Sequence, residues 1–257
     1  MNRVQGETYL VRSAVGALRN GTVRAISIAA VMLVASIPAI AQAGGAGGDL
    51  QAKLADVKQA VAANQQKLRS YQWIETTQLT LNGDAKPPSQ SQCQYGPDGT
   101  VQKTQISAPP PPPSGGRLKQ KVIANKKDEM QQYMGGVKQV IGMYVPPDGQ
   151  KMQAAFQAGK ASLGSGGSPG TAQLVFKDYA QPGDQMTISF DTAAKKIRSL
   201  NVNTYMDNPK DVVTLAVQFS SLPNGINYVY QSVLNATAKK LVVTTTSSNY
   251  QPLGGGQ

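Results

Sequence analysis

The sequence predicts an α+β fold in which a curved antiparallel β-sheet, a half-barrel of about nine strands, carries helices over its concave face. Three observations support this fold. One helical pattern comes first, a segment with a period of two follows it directly, and the second half of the chain alternates strand patterns with turns of hairpin length. Short connections predict antiparallel neighbours, because parallel strands need a long crossover.

Residues 1–43 have the pattern of an export signal rather than of a folded segment. Four arginines and a 16-residue apolar run, Ala25–Ile40, precede the small-residue sequence Ala41-Gln42-Ala43. The run is short for a membrane span, which needs roughly 20 apolar residues, so a cleaved signal is favoured over an uncleaved anchor. We expect cleavage after Ala43 and a single periplasmic domain over residues 44–257.

The composition narrows the classes of function. The 257 residues include no His and one Cys, which excludes histidine acid–base catalysis, Cys/His zinc sites and internal disulfides. The net charge is +11, and it is +8 once residues 1–43 are removed. A basic exported chain favours an anionic membrane surface as partner over nucleic acid. We expect no enzymatic activity, no cofactor, no metal and no nucleic-acid partner, and the sequence predicts no oligomeric state.

After a flexible leader at residues 44–48, the segment Asp49–Tyr71 is predicted to form one amphipathic helix. Its apolar residues recur at spacings of four and three, interrupted at Asn64. A short coiled coil is the alternative, but the pattern covers only about three heptads before it changes. A helix packed on a sheet is therefore the preferred interpretation.

From Tyr71 the period is two, which predicts a strand to Leu81. Strands at 89–95 and 101–107 complete a meander whose outer face is rich in Gln and Thr, and the lone Cys93 lies in its second strand as a small, half-buried residue. Residues 108–116 contain five consecutive prolines and are interpreted as a stiff linker rather than a proline-recognition ligand.

Helical spacing returns at residues 118–144, with Gly135-Gly136 as an expected bend or break, and again at 150–158. Residues 161–170 are predicted to be a Gly-rich loop, without the context of a phosphate-binding loop. The remaining strands are predicted at 172–179, 185–190, 197–205, 212–219, 226–234 and 241–250.

Flexible thioethers and aromatic rings suit a surface that accommodates irregular apolar ligands. The helical segments hold four of the six methionines after residue 43, together with three aromatic residues. Three of these methionines, the aromatic residues and one strand residue are the candidate ligand-binding residues: Trp73, Met130, Tyr133, Met134, Tyr144, Met152 and Phe156. The alternative is that these side chains fill the space between helix and sheet.

A cluster of basic residues begins the second helical segment. It contains Arg117, Lys119, Lys121, Lys126 and Lys127 and no aromatic residue that could stack on a base. A solvated helix face is the ordinary interpretation, and contact with an anionic membrane is the functional one.

The export signal, a helix that leads directly into Tyr71-Gln72-Trp73, the mid-chain helices and the hairpin Ser189–Arg198 resemble the periplasmic lipoprotein-carrier (LolA/LolB-like) superfamily. The resemblance implies an open half-barrel with helices as a lid over an apolar cavity that takes lipid or lipoprotein acyl chains. The alternative function is an envelope scaffold or interaction protein with a filled core and a basic surface.

Overall fold

The computed structural model describes Ala55, Gln59 and residues 61–107, 117–165 and 168–254. The predicted signal, the leader 44–48 and the Pro-rich linker 108–116 lie outside the described residues. Helix α1 covers residues 61–68, so the described part of the predicted first helix ends before Tyr71, which begins the first strand.

Within the described residues, eleven strands form one antiparallel sheet. They are β1 (Tyr71–Leu81), β2 (Asp84–Ala85), β3 (Ser89–Tyr95), β4 (Val101–Gln105), β5 (Ala161–Ser165), β6 (Thr171–Lys177), β7 (Gln185–Asp191), β8 (Lys196–Tyr205), β9 (Val212–Ser221), β10 (Asn227–Ala236) and β11 (Leu241–Pro252). Their order is β4-β3-β1-β11-β10-β9-β8-β7-β6-β5, and β2 pairs only with β1. Because β4 and β5 end the order unpaired with each other, the sheet is open. The α+β class and the antiparallel sheet are as predicted.

Two strands were missed from the sequence, which predicted about nine. Strand β2 is only two residues long, and β5 occupies residues 161–165 of the predicted Gly-rich loop 161–170. The β5 sequence has weak strand propensity, and it is extended because its main chain pairs with β6 from Ala161↔Phe176 to Ser165↔Ala172. Pairing with an existing edge therefore decides the conformation of β5.

Two helices separate β4 from β5: α2 (Arg117–Gly142) and α3 (Gly149–Gln157). The side chain of Asp148 caps α3 by accepting from the main-chain N of Gln150 at 2.8 Å. Helix α2 runs through Gly135-Gly136 without the predicted break. A Cβ at Gly136 would lie 2.6 Å from Cε of Met206, so glycine here allows close approach of α2 to the chain after β8.

The strands alternate between a buried and a more exposed face, as expected for an antiparallel sheet with one face on a core. In β8, Leu200 and Val202 are buried whereas Asn201 and Asn203 are exposed. The buried face of β6–β11 joins apolar side chains of both α2 and α3 in one core cluster, including Val137, Ile141, Met152 and Ala155. A second cluster contains Leu68 of α1, Trp73, Cys93, Tyr95 and Ile226.

A buried carboxylate joins the helices to the sheet. Asp184, only 2 % exposed, accepts hydrogen bonds from the main-chain N atoms of Tyr179 at 2.6 Å, Ala180 at 2.9 Å and Gln181 at 2.7 Å. It also accepts from the hydroxyl of Tyr144, which follows α2. The hydroxyl of Tyr179 in turn accepts from the main-chain N of Asp148 at 2.6 Å. The connection between β6 and β7, which contains Tyr179 and Asp184, therefore binds both the segment after α2 and the start of α3.

We predict that Asp184→Ala lowers the free energy of unfolding by about 3 kcal/mol or more, because it leaves several buried donors without an acceptor. Asp207→Ala is the matched control, since Asp207 is exposed and the same change there should cost no more than about 0.5 kcal/mol. Urea unfolding followed by circular dichroism measures both. Equal stability of the two variants would contradict this role of Asp184.

Candidate functional site

The sheet splits at one end, between β10 and β11. These strands pair from Ala236↔Leu241 to Gln231↔Thr246, and their pairing then stops. Beyond that point β10 continues along β9 to Asn227, while β11 continues along β1 to Pro252. The two strands therefore diverge, each held by its other neighbour.

Bulges on both sides account for the split. In β10 the register with β9 shifts between Val229 and Gln231, so Tyr230 is an extra residue. In β11 two residues face Trp73, and one of them, Asn249, has the left-handed φ of 53° that Asn tolerates better than most residues. A bulge bends its strand and increases the local twist, which carries β10 and β11 apart.

Helix α1 covers the split and is anchored by an amide pair. Nδ2 of Asn64 donates to the carbonyl O of Asn227 at 2.6 Å, and Oδ1 of Asn64 accepts from the main-chain N of Asn227 at 2.6 Å. The Asn227 side chain donates to the carbonyl O of Ile197 at 2.9 Å. The amide of Asn64 thus replaces a neighbouring strand where β10 has left β11, which satisfies main-chain groups that would otherwise be unpaired.

A cavity of about 200 Å³ lies between α1 and the split end of the sheet. Its aromatic wall consists of Trp73, Tyr95, Phe219, Tyr228 and Tyr250. The rings of Trp73 and Tyr250 stack with centroids 5.4 Å apart and planes at 11°, and the centroids of Tyr228 and Tyr250 are 4.4 Å apart. Such contacts hold the rings in fixed positions, so the wall is preformed.

The solvent side of the cavity is polar and cationic. The residues Lys67 of α1, Lys195 of the β7–β8 turn and Lys196 at the start of β8 line it, and no described lining residue is Asp or Glu. Gln65 also lines it and is 8 % exposed, and its Nε2 atom has no hydrogen-bond partner. The site thus combines aromatic rings with positive charge.

Ionisation of the buried groups beside the cavity is suppressed. Burial raises the pKa of Tyr95 and Tyr250 well above the usual range, and the positive charge of Arg69 opposes part of this effect at Tyr95. Cys93 is fully buried opposite Trp73. Burial and then the charge of Glu75 raise the pKa of its thiol to about 12, so the thiol is protonated at neutral pH.

Of the seven residues predicted to bind ligand, Trp73 lines the cavity and the other six lie in the helix–sheet layer at α2 and α3. Tyr144 and Met152 are fully buried in its core. The partly buried members packed against that core are Met130, Tyr133, Met134 and Phe156. Tyr133 also donates from its hydroxyl to Asp211 at 3.0 Å. The structure therefore does not bring Trp73 together with the other six.

In the predicted basic surface, Lys126 is exposed on α2. The side chains of Arg117, Lys119, Lys121 and Lys127 lie outside the described residues. Sequence reasoning missed Gln65, the lining lysines Lys67, Lys195 and Lys196, and the four other aromatic wall residues. The one signal for this site was the interruption of the helical apolar pattern at Asn64, which is the anchor of α1.

Among the described residues, no group of three or more Cys, Asp and Glu side chains is placed to hold a metal ion. In the same part of the chain, none of the helices is both long and apolar enough to cross a membrane.

No family model and no curated protein matches the chain. The chain is similar to the crystal structure of a DUF1329 family protein from Desulfovibrio piger. The alignment covers 79 % of this chain and 94 % of that protein, with 10 % sequence identity and a TM-score of 0.37. A similarity of this size carries no argument about ligand or activity, so the function has to follow from the residues of the site.

We predict that the protein loses stability as pH rises from about 9 to about 12. In the folded state the pKa of Cys93 is raised from the usual 9.0 to about 12, and the pKa of Tyr179 from 10.0 to about 12. The unfolded chain releases these protons first and so binds fewer of them in this interval, which lowers the free energy of unfolding. Urea midpoints measured across this pH range test the trend.

A thiol reagent provides the control for Cys93. We expect the folded protein to be unreactive at pH 8 and the urea-unfolded protein to react with one thiol per chain. Equal reaction rates in the two states, or a midpoint that is constant up to pH 12, would contradict the protonated, buried thiol.

Proposed function

We propose that this chain is a non-catalytic binding protein, exported to the periplasm, that holds the apolar part of an amphiphilic ligand in the cavity under α1. The observation that carries the proposal is the preformed aromatic wall of Trp73, Tyr95, Phe219, Tyr228 and Tyr250 in a cavity that opens beside lysines. Concave sites lined by aromatic side chains with a few polar groups are typical of ligand binding.

The size of the cavity limits the bound group. An apolar cavity of about 150 Å³ accommodates benzene, so one of about 200 Å³ takes a single ring or a short alkyl segment. A longer lipid chain would have its end in the cavity and the rest outside. This is a narrower version of the lipid binding that the resemblance to lipoprotein carriers implies.

The position of the cavity also identifies the movable element in this proposal. Helices α2 and α3 are tied to the sheet through Asp184 and Tyr179, whereas α1 contacts the split through the Asn64 amide pair and a few apolar side chains. Ligand entry would therefore use the open side of the cavity beside the lysines, and any widening of that opening would displace α1 and leave α2 and α3 in place. The sheet and helices then act as a carrier-like half-barrel with one loading end.

A non-catalytic role is supported by the chemistry of the lining. Its described residues include lysines, amides and phenols but no carboxylate, and the neighbouring Cys93 thiol is protonated. The described lining therefore presents no carboxylate or thiolate base.

The second candidate function is an envelope scaffold or interaction protein with a basic surface that contacts an anionic membrane. It is favoured by the filled layer under α2, in which Val137, Ile141 and Tyr144 are fully buried. In that case the aromatic cavity is a packing defect and takes up no ligand.

We predict that the uncharged single-ring ligand toluene binds saturably, with one site per chain, and that Val229→Phe weakens its binding by about tenfold or more. Val229 lines the cavity, so the larger ring occupies space that toluene needs. Val233→Phe is the matched control, since Val233 lies on the opposite face of the same strand.

Isothermal titration calorimetry of the three proteins measures this, and circular dichroism checks that all are folded. Absence of saturable binding to the unmodified protein would remove the binding function and favour the scaffold. Equal weakening in both variants would place the toluene site elsewhere.

A further inference from the structure

The outer face of the sheet, which points away from the helices, has an unusual composition. The described helices pack on the other face, through Leu68 of α1, Val137 of α2 and Met152 of α3. A solvent-exposed sheet face normally carries charges, which favour solubility and oppose pairing with other sheets. Over six neighbouring strands, β4, β3, β1, β11, β10 and β9, Gln, Asn, Thr and Ser occupy most of the outward positions instead.

The charged residues of these six strands face the helices. They are Glu75 and Lys103, whereas 15 % of the whole chain is charged. The two side chains form an ion pair and are only 12 % and 14 % exposed, and Lys103 lies opposite the fully buried Cys93. Because side chains alternate between the two faces of a strand, the outward positions on either side of this pair are uncharged.

Amides and hydroxyls form two rows across the outer face. One row consists of four glutamines directly opposite one another on β4, β3, β1 and β11, and the other crosses five strands from β3 to β9. Because adjacent strands are about 4.8 Å apart, each row repeats at that distance. The first row is Gln102, Gln94, Gln72 and Gln251, and the second is Gln90, Thr76, Thr246, Gln231 and Gln218.

Hydrogen bonds between side chains hold part of this face in order. Nε2 of Gln92 donates to Oε1 of Gln72 at 2.6 Å, and Nε2 of Gln90 donates to Oγ1 of Thr76 at 3.3 Å. Gln90 and Gln92 are nevertheless exposed, as is Gln94 beside them. An amide has two donor hydrogens and an acceptor oxygen with two lone pairs, so these bonds leave donors and acceptors for a ligand.

We propose that the outer face over β4, β3, β1, β11, β10 and β9 binds an extended, uncharged glycan with β-1,4 linkages. Each sugar hydroxyl both donates and accepts, as do the amides and hydroxyls of the rows. The strand spacing is close to the length of one sugar unit in an extended chain, so a glycan that crosses the strands meets a polar side chain at each unit. This site is separate from the cavity under α1 and goes beyond the proposed function.

The charge of the face selects this occupant over other polymers and surfaces. Nucleic acid and anionic membranes are held by Lys and Arg, which the described outward positions of these strands do not provide. A second copy of the sheet would bury the amides in a dry interface, where each one needs a partner. A glycan leaves them hydrated or bonded to hydroxyls.

Isothermal titration calorimetry of the purified protein compares cellohexaose, cellobiose and a cellohexaose whose primary hydroxyls are oxidised to carboxylates. We expect cellohexaose to bind at least about tenfold more tightly than cellobiose, because it spans more strands. It should also bind at least about tenfold more tightly than the oxidised hexamer, because the face has no cation to replace the hydration of a carboxylate. Binding through the net charge of this basic chain would give the opposite preference.

A double variant assigns the site to the outer face. Gln92→Ala with Gln94→Ala removes two exposed amides from β3 and should weaken cellohexaose binding by about tenfold or more. The matched control is Gln139→Ala with Gln157→Ala, which makes the same change at exposed positions of α2 and α3 and should stay within about twofold of the unmodified protein. Circular dichroism checks that both variants are folded.

The outcomes decide whether the outer face binds a glycan. No binding of cellohexaose, or tighter binding of the oxidised hexamer, would overturn the proposal. Equal weakening by the two double variants would place the sugar elsewhere and would overturn it as well. Analytical ultracentrifugation tests the second copy as occupant. Self-association that the β3 variant abolishes would make this face an interface between copies and the glycan proposal wrong. Toluene binding in the cavity is a separate measurement, so the two proposals can fail independently.

Discussion

The divergence of β10 and β11 is the constraint on which the site depends. Had these strands paired to their ends, the inner face would be a continuous ladder with no gap beneath α1. The bulges at Tyr230 and Asn249 end that ladder at Gln231↔Thr246. An open end of a strand carries unpaired main-chain groups, and here the amide of Asn64 pairs with Asn227 while α1 covers the apolar side chains below. The cavity is the space between α1 and the diverging ends of β10 and β11.

The inner side of the sheet therefore has two regions that differ in how completely they are packed. Under α2 and α3 the packing is filled and includes a buried carboxylate, Asp184, with four donors. Such a satisfied polar network is specific in geometry and costly to disrupt. Under α1 the described lining leaves a cavity of about 200 Å³. A rigid frame with a cavity at one end is suited to a binding site, because the frame keeps the aromatic wall in place.

Much of the fold follows from periodicity. The pattern of two predicts β1, β3, β4 and β6–β11, since each carries alternating polar and apolar residues that one covered face requires. Strand β5 was missed because its Ala, Ser and Gly residues become extended only through pairing with β6. The continuity of α2 at Gly136 was missed for a similar reason, since the role of this glycine depends on Met206, which is distant in sequence.

The site was less predictable than the fold. A stripe of Met and aromatic residues at helical spacing indicates one buried face, and Tyr144 and Met152 are indeed buried, but the stripe does not distinguish a filled layer from a ligand cavity. The cavity depends on bulges, which add one residue to one strand and leave little trace in an alternating pattern. Asn64 was visible as an exception to the apolar pattern of the first helix. Its partner, Asn227, lies in a different part of the chain, and sequence spacing alone does not connect the two.

The most direct measurement uses Trp73, the only tryptophan of the chain, as a reporter within the cavity wall. A short fatty acid with bromine at its methyl end quenches tryptophan emission only at close range. If its chain lies against the aromatic wall, quenching will saturate, and unbrominated octanoate will reverse it in competition. Quenching that rises linearly with concentration, as for free N-acetyltryptophanamide, and that octanoate does not reverse would contradict the account.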